Sequence, residues 1–290
     1  MVHLLTFDVE EYFQVQAAAG TVRAEDWPRF GQRLEPVVDR LLELLNRHKT
    51  FATFFVLGHV AREQPDLIRK IAAAGHELAC HGMTHTMIDR LTPGAFRQEL
   101  TDNRAILEDL AVRPVLGFRA PTFSIIRKTA WALDVLAELG FRYDSSIFPI
   151  HHDRYGIPDA PTSPFLVRGP SGRTLLELPP LTMRTFGVNW PVGGGGYLRL
   201  LPVRLVAAAL RRADRANQSG MIYLHPWELD PDQPELPLSR LARLRHRIGL
   251  KRTETKLTYL LQRFKFSPVR TFLETVNTAS FPSFDLSGRS

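Results

Sequence analysis

The sequence predicts an α/β fold built on a mostly parallel sheet or barrel, and three observations carry that prediction. Short apolar runs with strand character alternate with longer helical patterns from the first residues onward. Charged or histidine-bearing segments repeatedly follow the strand-like runs, as expected where parallel strands deliver side chains to one face. With 290 residues, 44% of them apolar and 23% charged, the chain can bury the core of one large soluble domain or two small ones.

Taken in order, VHLLTF reads as a first strand, and the stripe of Leu34, Val37, Val38, Leu41, Leu42 and Leu45 has helical spacing. FATFFV is a buried strand. PDLIRKIAAAG is a helix with Pro65 in its first turn and Gly75 at its end. HELAC is the next strand. Residues 93–111 form a helix, with Thr92 as its cap and Pro93 in the first turn. VLGF, a helix over residues 129–139 closed by Gly140, and FRYD continue the alternation. RTLLELP and MIYLHP are later strands, separated by a helical run around residues 198–213. Residues 147–172, rich in Pro, His, Asp and Gly, are predicted as a long ordered loop or cap. The run Gly193–Gly196 lacks the Gly-Lys-Ser/Thr ending of a phosphate loop and reads as a turn permitting close backbone approach. Beyond Pro237 the chain is Arg-rich with helical stripes, one made by Leu257, Leu260, Leu261 and Phe264. The sequence thus divides into a domain over residues 1–235 and a basic helical extension over 236–290.

Composition narrows the function classes. A single cysteine, Cys80, excludes an intrachain disulfide. Without a recognisable leader or a long apolar run, the expected location is cytoplasmic. The 37 basic residues against 30 acidic ones give a net charge of +7. Much of the excess falls in Arg240, Arg243, Arg245, His246, Arg247, Lys251 and Arg252, with Leu241, Leu244 and Ile248 at helical spacing among them. That pattern predicts an amphipathic helix with a basic outer face. It is either a solvated surface or a contact for anionic lipid headgroups at a membrane, an acidic glycan or an acidic partner. No nucleic-acid motif accompanies the charge, so nucleic acid is not an expected partner.

The strand ends carry the chemistry. His81 and His85 are four residues apart and can meet one metal ion if the segment turns. Asp8 and Glu10 alternate on an extended backbone, so they share a side while Glu11 points away. One carboxylate completes a two-histidine, one-carboxylate site and the other is free to take a proton from water. His225, at an apolar strand end, suits a general acid, with Asp144 to hold its second nitrogen. Arg119 pairs with the base carboxylate and keeps it ionised. The alternatives at this level are solvated strand-end carboxylates, a satisfied core histidine and a structural ion pair.

Together, in order, these segments resemble the polysaccharide deacetylases, the NodB-homology or carbohydrate esterase 4-like group, over about residues 1–230. Thr6-Phe7-Asp8 resembles the first family motif, His81-Gly82-Met83-Thr84-His85 the metal motif, Arg119-Ala120-Pro121 the third, Tyr143-Asp144-Ser145-Ser146 the fourth and Leu224-His225-Pro226 the fifth. The resemblance implies a distorted (β/α) barrel of about seven parallel strands. It also implies one divalent metal ion, zinc before cobalt or nickel, and an N-acetylated glycan as substrate. Asp8 takes the base position, Arg119 contacts it, and His225 is the acid, oriented by Asp144. A backbone N–H near Tyr143 faces the oxyanion, while Tyr143, Leu224, Trp227 and Pro121 shape the substrate pocket. The usual second aspartate of the first motif is replaced by Val9, which moves the metal carboxylate to Glu10. The surrounding D-V-E, D-S-S-I-F-P and H-P-W-E segments resemble a branch linked to bacterial exopolysaccharide and PEP-CTERM protein-sorting loci. Hydrolysis of a cyclic ureide, as in allantoinase-like relatives, a silent glycan-binding protein and a membrane-peripheral assembly factor are the competing expectations.

Overall fold

In the computed structural model, which describes residues 1–286, β1 (Val2–Val9) leads to helix α1 (Leu34–Arg47) and strand β2 (Thr53–Val56). Helices α2 (Gly58–Glu63) and α3 (Pro65–Ala73), strand β3 (Glu77–Cys80), helix α4 (Pro93–Ala111) and strand β4 (Gly117–Phe118) follow. Next come α5 (Trp131–Glu138), β5 (Tyr143–Asp144), β6 (Phe165–Arg168) and β7 (Thr174–Glu177). A hairpin of β8 (Thr182–Thr185) and β9 (Val188–Pro191) precedes α6 (Gly195–Leu200), α7 (Val203–Arg215) and β10 (Met221–Leu224). The carboxyl-terminal segment comprises α8 (Arg240–Arg247), α9 (Thr253–Leu261), β11 (Lys265–Ser267), α10 (Val269–Thr275) and β12 (Ser283–Asp285).

The main sheet runs β10-β1-β2-β3-β4-β5-β7-β6-β12, with β11 beside the start of β1. Neighbours from β10 through to β7 are all parallel; β6 is antiparallel to β7. Two isolated parallel bridges, Pro180 to Met221 and Gly194 to Tyr223, bring the chain beyond β7 back to β10 and close seven parallel strands into an irregular barrel. Alternation along β1 assigns its side chains: Leu5, Phe7 and Val9 pack outward with the helices, while Leu4 faces the interior with Phe55, Ala79, Tyr143 and Met221. Thr6, Asp8 and Glu10 continue the inward row toward the carboxyl ends of the strands, where they meet the site residues.

Local signals explain the helices. Thr92 Oγ1 accepts the Ala95 N–H at 3.2 Å and Pro93 occupies the first turn of α4, so start and cap agree with the sequence. Glu11, which alternation sends away from Glu10, accepts the Arg33 and Leu34 N–H groups at 2.9 and 3.2 Å and so caps α1 with a carboxylate. Gly194 is required by close approach: a Cβ there would lie 1.7 Å from the Tyr223 carbonyl oxygen, and its φ is +152°.

Two expectations need correction. The segment after residue 235 is not helical throughout, because β11 and β12 join the main sheet and α10 adds Val269 and Phe272 to the barrel interior. Leu236 and Leu238 pack with Tyr12, Phe13, Trp27 and Trp227, so the core runs through that point in the chain. Leu241 and Leu244 were expected to face inward, yet they are 57% and 60% exposed; the buried side chain of α8 is His246, stacked on Trp227. Among the described residues, no helix is long and apolar enough to cross a membrane.

Candidate active site

The sheet order places the predicted residues on adjacent strand ends. Asp8 and Glu10 lie at and just beyond the end of β1, flanked by His225 after β10 on one side and, beyond β2, by His81 after β3 on the other. Arg119 follows β4 and Asp144 ends β5. All six are buried or nearly so.

Glu10, His81 and His85 present ligand atoms that all lie within 4.8 Å of one another. His81 Nδ1 is 2.8 Å from the Arg119 carbonyl oxygen, an arrangement that puts the proton on Nδ1 and leaves the Nε2 lone pair free. His85 is held at φ +58°, a left-handed conformation uncommon for a non-glycine residue. Glu10 Oε2 is buried with no hydrogen-bond partner among the described residues other than His85 Nε2, 2.8 Å away, as expected of two ligand atoms that converge on one cation. The other oxygen, Oε1, accepts the indole N–H of Trp227 at 3.1 Å. Burial depresses the His81 imidazole to about 4. Burial raises the Glu10 carboxyl, but the His85 and His225 charges outweigh it and bring the value to about 2. A neutral His81 and an ionised Glu10 are the forms that bind a metal ion, so the donor set fits a divalent cation.

Val9 at the usual aspartate position has a steric explanation. Its side chain faces outward into the helix-packed core with Phe7, so no carboxylate there would reach the histidines, whereas Glu10 does. Gly82 of the histidine motif sits at φ +78°, and a Cβ there would stand 3.6 Å from the Pro121 ring.

Arg119 is completely buried and binds Asp8 Oδ1 at 2.6 Å. It also donates to Thr6 Oγ1 at 2.9 Å, to the Ser145 carbonyl at 3.2 Å and to Ser145 Oγ at 2.9 Å, with Phe55 4.1 Å from its guanidinium carbon. Asp8 Oδ2 remains directed toward His225 Nε2, 3.8 Å away; Glu10 Oε1 is 3.6 Å from the same nitrogen. Burial lowers the affinity of His225 for a proton, but the Glu10, Glu228 and Asp8 carboxylates prevail and raise its pKa to about 9.

Several expected contacts are absent. Asp144 does not hold His225: its Oδ1 accepts the Ser146 hydroxyl, and its carboxyl, raised to about 6 by burial, lies beside the buried Glu177, which burial and the Asp144 charge also raise. The partner of His225 Nδ1 is Glu228 Oε2 at 3.1 Å, and the same oxygen accepts the His225 backbone N–H at 3.0 Å. Glu228 Oε1 in turn binds Arg199 Nε at 2.6 Å, and Arg199 Nη1 donates to the carbonyls of His246 and Ile248 at 2.7 and 2.9 Å. The sequence did carry a signal for Glu228, since His225 and Glu228 have capping-box spacing. The Tyr143 N–H itself bonds the Leu116 carbonyl, and its hydroxyl reaches Glu77 in the barrel interior at 3.1 Å. Leu224 is wholly buried in the main core, and Trp227, nearly as buried, supports Glu10 and stacks on His225 with ring centroids 5.3 Å apart.

Residues 4–143 match the family model described as Polysaccharide deacetylase. That match, over just under half of the chain, makes residues 4–143 similar to the polysaccharide deacetylases. Residues 145–274 match a second model, Domain of unknown function (DUF3473), which contributes His225, Trp227, Glu228 and Arg199 to the site and runs across residue 235. A chitooligosaccharide deacetylase from a Bradyrhizobium species is 41% identical over 98 residues, 33% of this chain and 42% of that protein. The chitooligosaccharide deacetylase of Sinorhizobium fredii is 35% identical over 128 residues, 43% of this chain and 57% of that protein. The chain thus spans about half the length of the curated relatives it matches. A solved structure from Mycobacterium smegmatis, provisionally named a polysaccharide deacetylase, shares the fold with a TM-score of 0.63 at 21% identity, covering 97% of this chain and 92% of that one.

Proposed function

We propose that this protein is a metal-dependent hydrolase that removes the N-acetyl group from an N-acetylhexosamine unit of a glycan. The observation that carries the reading is the convergence of Glu10, His81 and His85 beside an Arg119-held Asp8 and a carboxylate-held His225. When bound there, a divalent ion supplies Lewis acidity toward the acetyl carbonyl and lowers the pKa of water. Two imidazoles and a carboxylate suit zinc, and also cobalt or nickel. Asp8, with one oxygen committed to Arg119, uses Oδ2 to take the proton of the attacking water. His225 keeps its Nδ1 toward Glu228 and presents Nε2–H to the departing amine. Protonation of the amine and uptake of water by the acyl group leave acetate and a free amino sugar.

Acetate release from N-acetylglucosamine oligomers by metal-replete protein tests the reading. Wild type releases acetate with metal bound, Asp8→Asn binds metal without turnover, and the His81→Ala/His85→Ala double variant loses both. Stoichiometric metal with no acetate from any N-acetylated glycan would overturn it.

A further inference from the structure

A groove of about 550 Å³ opens beside His85, between the segment after β1 and the turn that follows the histidine motif. Phe13 and Trp27 give it an apolar wall, and both belong to the packed cluster that holds this segment in place. Its charged side chains are Arg23 and Arg90. Both are exposed, and neither forms an ion pair among the described residues. Among the described residues no Asp or Glu lines the groove, so nothing within it neutralises the two guanidiniums. The turn carrying Arg90 is anchored from below, since Ser124 Oγ accepts the Ile88 N–H at 3.1 Å. Two guanidiniums without ion-pair partners beside an aromatic wall are chemistry suited to an anionic oxygen group.

We infer that the glycan acted on is anionic: the groove formed by Arg23, Arg90, Phe13 and Trp27 binds a carboxylate or phosphate on the substrate while the acetyl group lies at His85. This rests on the deacetylase reading for its direction, and supplies the substrate class that reading leaves open. A uronic acid unit next to the acetylated sugar and a phosphate linking that sugar to a carrier share the required chemistry.

Equilibrium binding by calorimetry with the full chain, before metal is added, tests the groove independently of turnover. The probes are a neutral N-acetylglucosamine hexamer, a hexasaccharide alternating N-acetylglucosamine with glucuronate, and a short-chain prenyl pyrophosphoryl N-acetylglucosamine. At least one anionic probe binds tenfold or more tighter than the neutral one, and added salt weakens that preference. The Arg23→Ser/Arg90→Ser variant abolishes it, and Arg23→Lys/Arg90→Lys retains a part; thermal melts of both report folding. The anionic probe that wins identifies the source of the charge. Equal binding of neutral and anionic probes, a preference that survives Arg23→Ser/Arg90→Ser, or no binding of either anionic probe overturns the inference. Anion preference in binding without acetate release from any probe in metal-replete protein would instead overturn the deacetylase reading and leave the groove assignment standing.

Discussion

Replacing Glu228 by glutamine separates the partner the structure gives to His225 from the one its sequence suggested. The carboxylate meets His225 Nδ1 at 3.1 Å and Arg199 Nε at 2.6 Å, and it is fully buried. Glutamine keeps the shape and one acceptor oxygen but removes the charge that favours an imidazolium. A hydrogen bond to a charged group contributes about 1.5–3 kcal/mol, so kcat should fall roughly 10- to 150-fold. The cost in folding is smaller than the about 3–5 kcal/mol typical of breaking a buried ion pair, because the amide oxygen still accepts from Arg199. Steady-state acetate release, metal content and a thermal melt on one preparation provide the readout. Asp144→Asn, which alters the pair with Glu177 and Ser146 and not the His225 contact, should leave kcat closer to wild type. A folded, metal-loaded Glu228→Gln protein with kcat within twofold of wild type would refute the role of this carboxylate. So would a larger kcat loss in Asp144→Asn.

Arg119→Met leaves Asp8 buried without its counter-charge, and denaturant unfolding should show a loss of about 3–5 kcal/mol, together with loss of acetate release. Trp227→Phe removes the indole donor to Glu10 Oε1 and should weaken zinc affinity about 10- to 100-fold in competition with a chelator. His76 is a buried, neutral acceptor of the Ala52 N–H, and burial lowers its pKa from 6.5 to about 4. Between those values the unfolded chain binds more protons than the folded one. Its contribution is therefore complete above pH 6.5 and is lost as pH falls toward 4, by about 3 kcal/mol. Urea midpoints across that interval should fall more steeply for wild type than for His76→Phe, and parallel curves would exclude the effect.

The parts of the fold visible in the sequence are those whose signal is local. The stripe from Leu34 to Leu45, Thr92 and Pro93 at the start of α4, and the inward row of Asp8 and Glu10 each follow from periodicity or capping within a few residues. The pairing of Arg119 with Asp8 was also legible, because both stand at strand ends. What escaped depends on distant segments. β11 and β12 are three-residue strands whose pairing with β1 and β6 no window of sequence reveals. The hairpin of β8 and β9 turns at Phe186 and Gly187, both with positive φ, and Phe is not the residue such a turn advertises. The carboxylate on His225 is not legible either, because sequence alone does not separate a strand-end Asp144 from Glu228 in the following turn. The β5–β7 register sets Asp144 beside Glu177, and the turn after β10 folds Glu228 back onto the ring.

The closure of the barrel has an evolutionary and engineering consequence. Between the bridge at Pro180 and the bridge at Gly194 the chain leaves the ring, makes the β8–β9 hairpin and returns to the same strand, β10. Whatever occupies residues 182–191 is therefore an excursion whose ends are already fastened. Its length and content can drift, or be exchanged for a foreign loop, while the seven-strand wall and the side chains mounted on its rim keep their register.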